Sequence, residues 1–189
     1  MYTEIKVLLL YLTQEGRVVY LDKLVNKFDA MASEEYFSNG FLNIYGGIEI
    51  VIDDCCVILH VTDFSYLIKV TDFLLNSLYW LKEKDCDWFN PIESEQIVLK
   101  TIGGHNIKFQ KKMAKKEVIL SFYPNDLNYV KKRSDKFFEN ISIDQQHWIS
   151  AVEIALREYF FMIENEILKD GTNTDKILAR YMNVWNGIK

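Results

Sequence analysis

Two β-branched runs that meet at a pair of acids, "GGIEIVID" and "DCCVILHV", constrain this chain more than any other stretch. Each reads as a strand, and Asp53-Asp54 between them reads as a two-residue hairpin turn. On that register Ile52 pairs with Cys55, Ile50 with Val57 and Ile48 with Leu59, and paired residues share a face. One face is then wholly apolar: Ile48, Ile50, Ile52, Cys55, Val57 and Leu59. The other carries Glu49, Val51, Cys56, Ile58 and His60, with Glu49 diagonal to His60. Cys55 is therefore expected in the core. Cys56 and His60 share a face but stand ~13 Å apart along a strand that rises ~3.3 Å per residue. A zinc ion needs ligands at about 2.0–2.3 Å, so this pair cannot hold one, and no metal or cofactor is expected.

Around the hairpin the apolar spacing changes period. Ile5, Leu8, Leu9 and Leu12 have helical spacing, although Ile5, Val7, Leu9 and Tyr11 also alternate as a strand would. Residues 3–13 are expected to be helix, broken at Gly16. Leu21, Leu24, Val25, Phe28 and Met31 predict a second helix before "FSNG". After the hairpin, Leu67, Val70, Leu74, Leu78 and Leu81 stripe a helix over 65–84, with Asp63 or Ser65 as its cap. "EQIVLKTI", "HNIKFQKKM" and "EVILSFY" predict three strands, the first two joined at Gly103-Gly104. Ser142 and Gln145 have capping-box spacing and open the longest helix, which Gly171 stops. A short terminal helix begins at Thr174.

This order predicts an α+β single domain: a largely antiparallel sheet of about five strands covered by helices. Residues 1–40 form its helical N-terminal part, residues 41–123 the sheet with the inserted helix, and residues 142–189 the C-terminal helices. Two prolines and eight glycines in 189 residues leave no case for a long linker.

Charge narrows the function. The net charge is −5, yet residues 100–136 hold ten Lys/Arg against three acids, about +7, which leaves about −12 elsewhere. An acidic body disfavours nucleic acid and favours a protein partner. Three irregularly spaced cysteines make no disulfide framework, the N-terminus is a poor signal peptide, and no stretch reaches the ~18–20 apolar residues of a membrane span. The expected location is the cytoplasm, with no membrane contact.

No GxSxG, HExxH, GxxxxGK[ST] or GxGxxG is present, and Cys86 is flanked by Asp85 and Asp87, which disfavour a thiolate. An enzyme is not expected, and no catalytic residue is assigned. His105, beside the Gly-Gly turn, is expected to be solvated, and His147 to lie on the surface. "LLLYLTQEGRVVYLDKLVNKF" has the helix, glycine turn and helix of a winged-helix start, but "DAMASEEYFSNG" follows with no base to meet phosphate. Lys111, Lys112, Lys115, Lys116, Lys131, Lys132 and Arg133 form a basic cluster that could hold an anion or guard a sheet edge. "SEEYF" and "DCDWFNP" join carboxylates to aromatics. Glu34, Glu35, Asp85 and Asp87 would steer a basic partner, and Tyr36, Trp88 and Phe89 would anchor it.

"GGIEIVIDD", "FLLNSLYWLKEK", the short strands after it and "ISAVEIALREYFFMIENEIL" follow one another in an order that resembles small bacterial immunity proteins of polymorphic and contact-dependent toxin systems. The resemblance covers residues 41–168. It implies a cytoplasmic, non-enzymatic toxin inhibitor that masks a basic toxin domain. The alternative is a nucleic-acid-linked regulator that uses the N-terminal helices or the lysine-rich 108–133 region. The oligomeric state is not legible.

Overall fold

The computed structural model describes residues 4–12, 18–20, 45–84, 96–101, 104–112, 116–123, 139–162 and 176–188. Eight strands and three helices lie within them. The strands are β1 (Ile5–Leu12), β2 (Val18–Tyr20), β3 (Tyr45–Ile52), β4 (Cys55–Tyr66), β5 (Ile97–Lys100), β6 (Asn106–Lys112), β7 (Glu117–Tyr123) and β8 (Ile141–Asp144). The helices are α1 (Leu67–Leu81), α2 (Gln145–Met162) and α3 (Lys176–Ile188). The α+β class is as expected. The strands form two antiparallel four-stranded sheets, β2-β1-β3-β4 and β5-β6-β7-β8, rather than one sheet of about five.

The helical layer explains the second sheet. Eleven of the fifteen residues of α1 are buried, and the other four, Lys69, Asp72, Asn76 and Trp80, recur three and four apart along one less buried stripe. A helix that buries all but one stripe cannot be covered by a single sheet. It touches β3 and β4 of the first sheet, β5 of the second, and both other helices. Helix α2 likewise touches β1 on one side and β7 and β8 on the other. Val7, Leu9, Ile48, Ile50 and Ile52 from the first sheet and Leu99, Ile107, Phe109, Val118 and Leu120 from the second join one hydrophobic core with them. Each such side chain contributes roughly 1.5–3 kcal/mol by leaving water. Phe109 is its aromatic centre, with ring centroids 6.4 Å from Phe73, 6.0 Å from Trp80 and 5.1 Å from Trp148.

Residues 5–12 are strand, not helix. β1 pairs with β3 from Ile5↔Ile52 to Tyr11↔Gly46 and with β2 on its other edge. The alternating reading of Ile5, Val7 and Leu9 wins because β3 offers a ladder partner along Ile5 to Tyr11 and β2 another along Leu10 to Leu12. The winged-helix start therefore loses its first helix. The second, over 21–31, lies outside the described residues.

The hairpin is present, with a type I′ turn: Asp53 and Asp54 have φ of 47° and 61°. Asp53 also ties the turn to β1. Its N–H donates to the Glu4 carbonyl at 3.0 Å, and its Oδ1 accepts from the Glu4 N–H at 2.9 Å. The register begins as expected, Ile52↔Cys55, and then slips at an irregularity between Ile50 and Val51. Beyond it Ile50 pairs with Ile58, Glu49 with Leu59 and Ile48 with His60. The extra residue replaces the expected Ile50–Val57 pair and moves His60 one position, so the faces assigned on the unbroken register do not extend past Cys56. The side chains of β4 lie outside the described ones, that of His60, expected diagonal to Glu49, among them.

Three further boundaries differ from expectation. Helix α1 starts only at Leu67, so Asp63 and Ser65 belong to β4 and do not cap it. Ser142 sits in β8. The cap of α2 is Asp144, whose Oδ1 accepts from the N–H groups of Gln146 (2.8 Å) and His147 (3.1 Å). The Ser142 hydroxyl is buried with no hydrogen-bond partner among the described residues.

Gly46 lets β3 close on its neighbours. A Cβ there would stand 2.4 Å from the Leu10 carbonyl oxygen and 2.8 Å from Leu67 Cδ1. Gly46→Ala is expected to destabilise the fold by about 1–3 kcal/mol, read as a lowered midpoint in urea unfolding. Asp54→Gly should act the other way. The left-handed backbone favours glycine, and the turn becomes Asp-Gly, so a gain of about 0.5–1 kcal/mol is expected in the same measurement.

Candidate functional site

Asp72 and Lys69 are the charged residues in the apolar sequence of α1, and Asp72 marks the point where the three helices meet. The Tyr181 hydroxyl, from α3, donates to Asp72 Oδ1. The adjacent Thr71 donates to the Leu67 carbonyl one turn back at 3.0 Å and is also hydrogen-bonded to Tyr159 of α2. Tyr159 is fully buried and Tyr181 nearly so, while Asp72 is half-buried. One turn along, the Trp148 Nε1–H donates to Ser77 Oγ at 3.0 Å, and the Ser77 hydroxyl donates to the Leu74 carbonyl at 2.7 Å. Polar groups inside the helical layer are thus satisfied across helices or along α1 itself.

Burial pushes the Asp72 carboxyl up from 3.8 to about 6, against the pull of the Tyr181 hydrogen bond and of Lys69. The Tyr159 phenol is held far above its ordinary value by burial, and Tyr181 by burial and then by its bond to Asp72. Chemically this is a carboxyl group that changes charge near pH 6 while a phenol that stays protonated donates to it. Its lone acidic position within "LIKVTDFLLNSLYWL" is the signal that could have found it in the sequence.

A second cluster sits at the C-terminal end of α1. Lys84 N–H donates to the Tyr79 carbonyl (3.1 Å) and Glu83 N–H to the Trp80 carbonyl (3.4 Å), with Glu83 at φ 53°. This is a Schellman ending without glycine. Lys111 Nζ reaches the Trp80 carbonyl at 3.4 Å and Glu83 at 3.1 Å, and Gln145 Nε2 reaches the Leu81 carbonyl at 3.3 Å. The chain then returns the interaction. Lys82 Nζ meets Glu153 of α2 at 2.5 Å and the Ile188 carbonyl at 3.0 Å, and Lys84 Nζ meets the Gly187 carbonyl at 2.7 Å. Two cations thus complement the C-terminal end of α3.

Glu34, Glu35, Tyr36, Asp85, Asp87, Trp88 and Phe89 all lie outside the described residues, as do Cys86, Lys115, Lys131, Lys132 and Arg133. Of the basic cluster, Lys111 is nearly enclosed and paired with Glu83, Lys112 lies 3.9 Å from Glu117, and Lys116 is exposed. His147 is on the surface as expected. His105 is buried, not solvated: its N–H is held by Thr101 Oγ1 at 2.9 Å, and its ring lies 5.7 Å from Phe122.

Among the described residues no three His, Cys, Asp or Glu side chains converge to hold a metal ion, and no helix is long and apolar enough to cross a membrane. The sequence matches no protein-family model and no curated protein, and the fold matches no solved structure.

Asp72 gives a pH dependence whose sign is fixed. The folded protein holds this proton more tightly than the unfolded chain does. Its contribution is therefore fully present below about pH 4, falls as pH rises to about 6, and is constant above that. The loss is on the order of 3 kcal/mol. Asp72→Asn, which keeps an oxygen for Tyr181, is expected to remove this slope. Urea unfolding of both proteins from pH 4 to pH 7 should show the variant gaining on the wild type as pH rises.

Proposed function

We propose that the protein is a non-enzymatic protein-binding module, an immunity-like inhibitor that masks a basic toxin or effector domain. The observation that carries this reading is the element order of residues 45–162: a hairpin, a buried helix, a meander of short antiparallel strands, and a long helix. That is the order on which the resemblance to immunity proteins rests. The net charge of −5 supports a basic partner. Glu34, Glu35, Asp85 and Asp87 would steer that partner, and Tyr36, Trp88 and Phe89 would supply the buried anchors. The nucleic-acid alternative is weakened by two observations. The first of its N-terminal helices is the strand β1, and Lys111 and Lys112 are already paired with Glu83 and Glu117.

The test is isolation of the tagged full chain from the cell that makes it. A stoichiometric basic protein supports the reading, and bound nucleic acid overturns it. With that complex in hand, Asp85→Lys combined with Asp87→Lys is expected to slow association about tenfold at low salt and to flatten its salt dependence. Stopped-flow rates unchanged by the double reversal would remove these residues from the interface.

A further inference from the structure

Helix α3 is attached to the fold differently from the other two helices. Helices α1 and α2 each pack on strands of both sheets, whereas α1 is the one described element that α3 meets broadly. Tyr181 lies against Asp72 and Ile188 against Lys82, so α3 runs in the same direction as α1. Parallel helices set like dipole ends side by side, and Lys82 and Lys84 offset this at the C-terminal ends alone. The apolar hold on α3 is that of Tyr181, Met182, Trp185 and Ile188, with the Trp185 ring stacked on Phe160 of α2 at 5.3 Å.

Among the described residues, four side-chain hydrogen bonds tie α3 to the end and middle of α1. Three of them hold its backbone: the Tyr79 hydroxyl donates to the Val184 carbonyl at 2.7 Å, and Lys82 and Lys84 donate to the Ile188 and Gly187 carbonyls. The fourth joins two side chains, the Tyr181 hydroxyl donating to the Asp72 carboxyl. Asp72 stands on the less buried stripe of α1, where Lys69, one turn earlier, is exposed. Asp72 itself is half-buried, and the side chain laid on it is Tyr181, so α3 supplies its cover. The other charged and titratable groups around this pair are Lys69 of α1, Tyr159 of α2 and, beside Tyr181, Arg180 of α3. Burial acts on the Asp72 carboxyl more strongly than the Tyr181 bond and Lys69 do. The ionised form is therefore the one that gains when α3 lifts and water returns.

We infer that α3 is a latch that opens as a unit while α1, α2 and both sheets stay folded, and that the charge on Asp72 sets how often it opens. The protonated carboxyl keeps the latch closed, and the ionised one loosens it. Opening uncovers Tyr79 of α1 and Phe160 of α2. The latch goes beyond the inhibitor reading and uses none of the residues assigned to the inhibitor's partner.

Native-state hydrogen exchange of the full chain, read amide by amide in urea below the unfolding transition and corrected for intrinsic rates, tests this. The amides from Met182 to Ile188 should be less protected than those in the middle of α1 and should open with a shallower urea dependence, which separates the latch from global unfolding. Their protection should fall about three- to tenfold from pH 5 to pH 8. Asp72→Asn should abolish that fall, with an unchanged far-UV spectrum as the check on folding. Tyr181→Phe should lower the protection of α3 at both pH values. Amides of α3 that exchange with the same free energy and urea slope as those of α1, an undiminished fall with pH in Asp72→Asn, or unchanged protection in Tyr181→Phe would each overturn the inference.

Discussion

The described fold is organised around one helix that buries all but a single stripe of its surface. Helix α1 buries its leucines, valine, isoleucine and phenylalanine over a wide arc, and only the stripe of Lys69, Asp72, Asn76 and Trp80 is left less buried. One sheet supplies only one wall. The two sheets, with α2 and α3 closing the remaining sides, are the arrangement that removes this helix from solvent. The cost falls on the polar residues within that buried arc and at its edge. Thr71 and Ser77 turn back on the carbonyls of α1, and Ser77 and Asp72 also accept from Trp148 and Tyr181. A buried layer of this kind is stable only with such groups satisfied.

Much of this was legible wherever a local pattern had one solution. The type I′ turn at Asp53-Asp54, the three strands of the second meander and the apolar stripe of α1 all carry their period in consecutive residues. Legibility ended where a distant partner decided. Ile5 to Leu12 fits both a helix and a strand, and pairing with Ile52 to Gly46, about forty residues away, settles it. The slip beyond Val51 inserts one residue into β4, which no composition reveals. Ser142 and Asp144 are both plausible caps two residues apart, and the choice depends on β8 pairing with β7 up to Asp144 itself.

Charge was legible as a total but not as a commitment. The lysines after residue 100 read as one basic patch, yet Lys111 is used inside the fold, closing the end of α1 beside Glu83. Lys82 and Lys84, at the end of the helix expected over 65–84, reach across to α3. His105 looked solvated because it follows two glycines, and it is buried because Thr101 and Phe122 meet it from the flanking strands. Asp72 shows the opposite case. A lone acid in an apolar helix announces itself in the sequence, but only the position of Tyr181 on a helix over a hundred residues away shows what faces it.

Two junctions in this fold lack connecting residues. β4 ends at Tyr66 and α1 begins at Leu67; β8 ends at Asp144 and α2 begins at Gln145. Each sheet is thereby continued directly into one of the two helices that lie between the sheets. A hinge needs a few backbone dihedrals free of ladder or helix, and neither junction has any to spare. Sliding the helical layer against either sheet would have to begin by unravelling a strand end or a first helical turn.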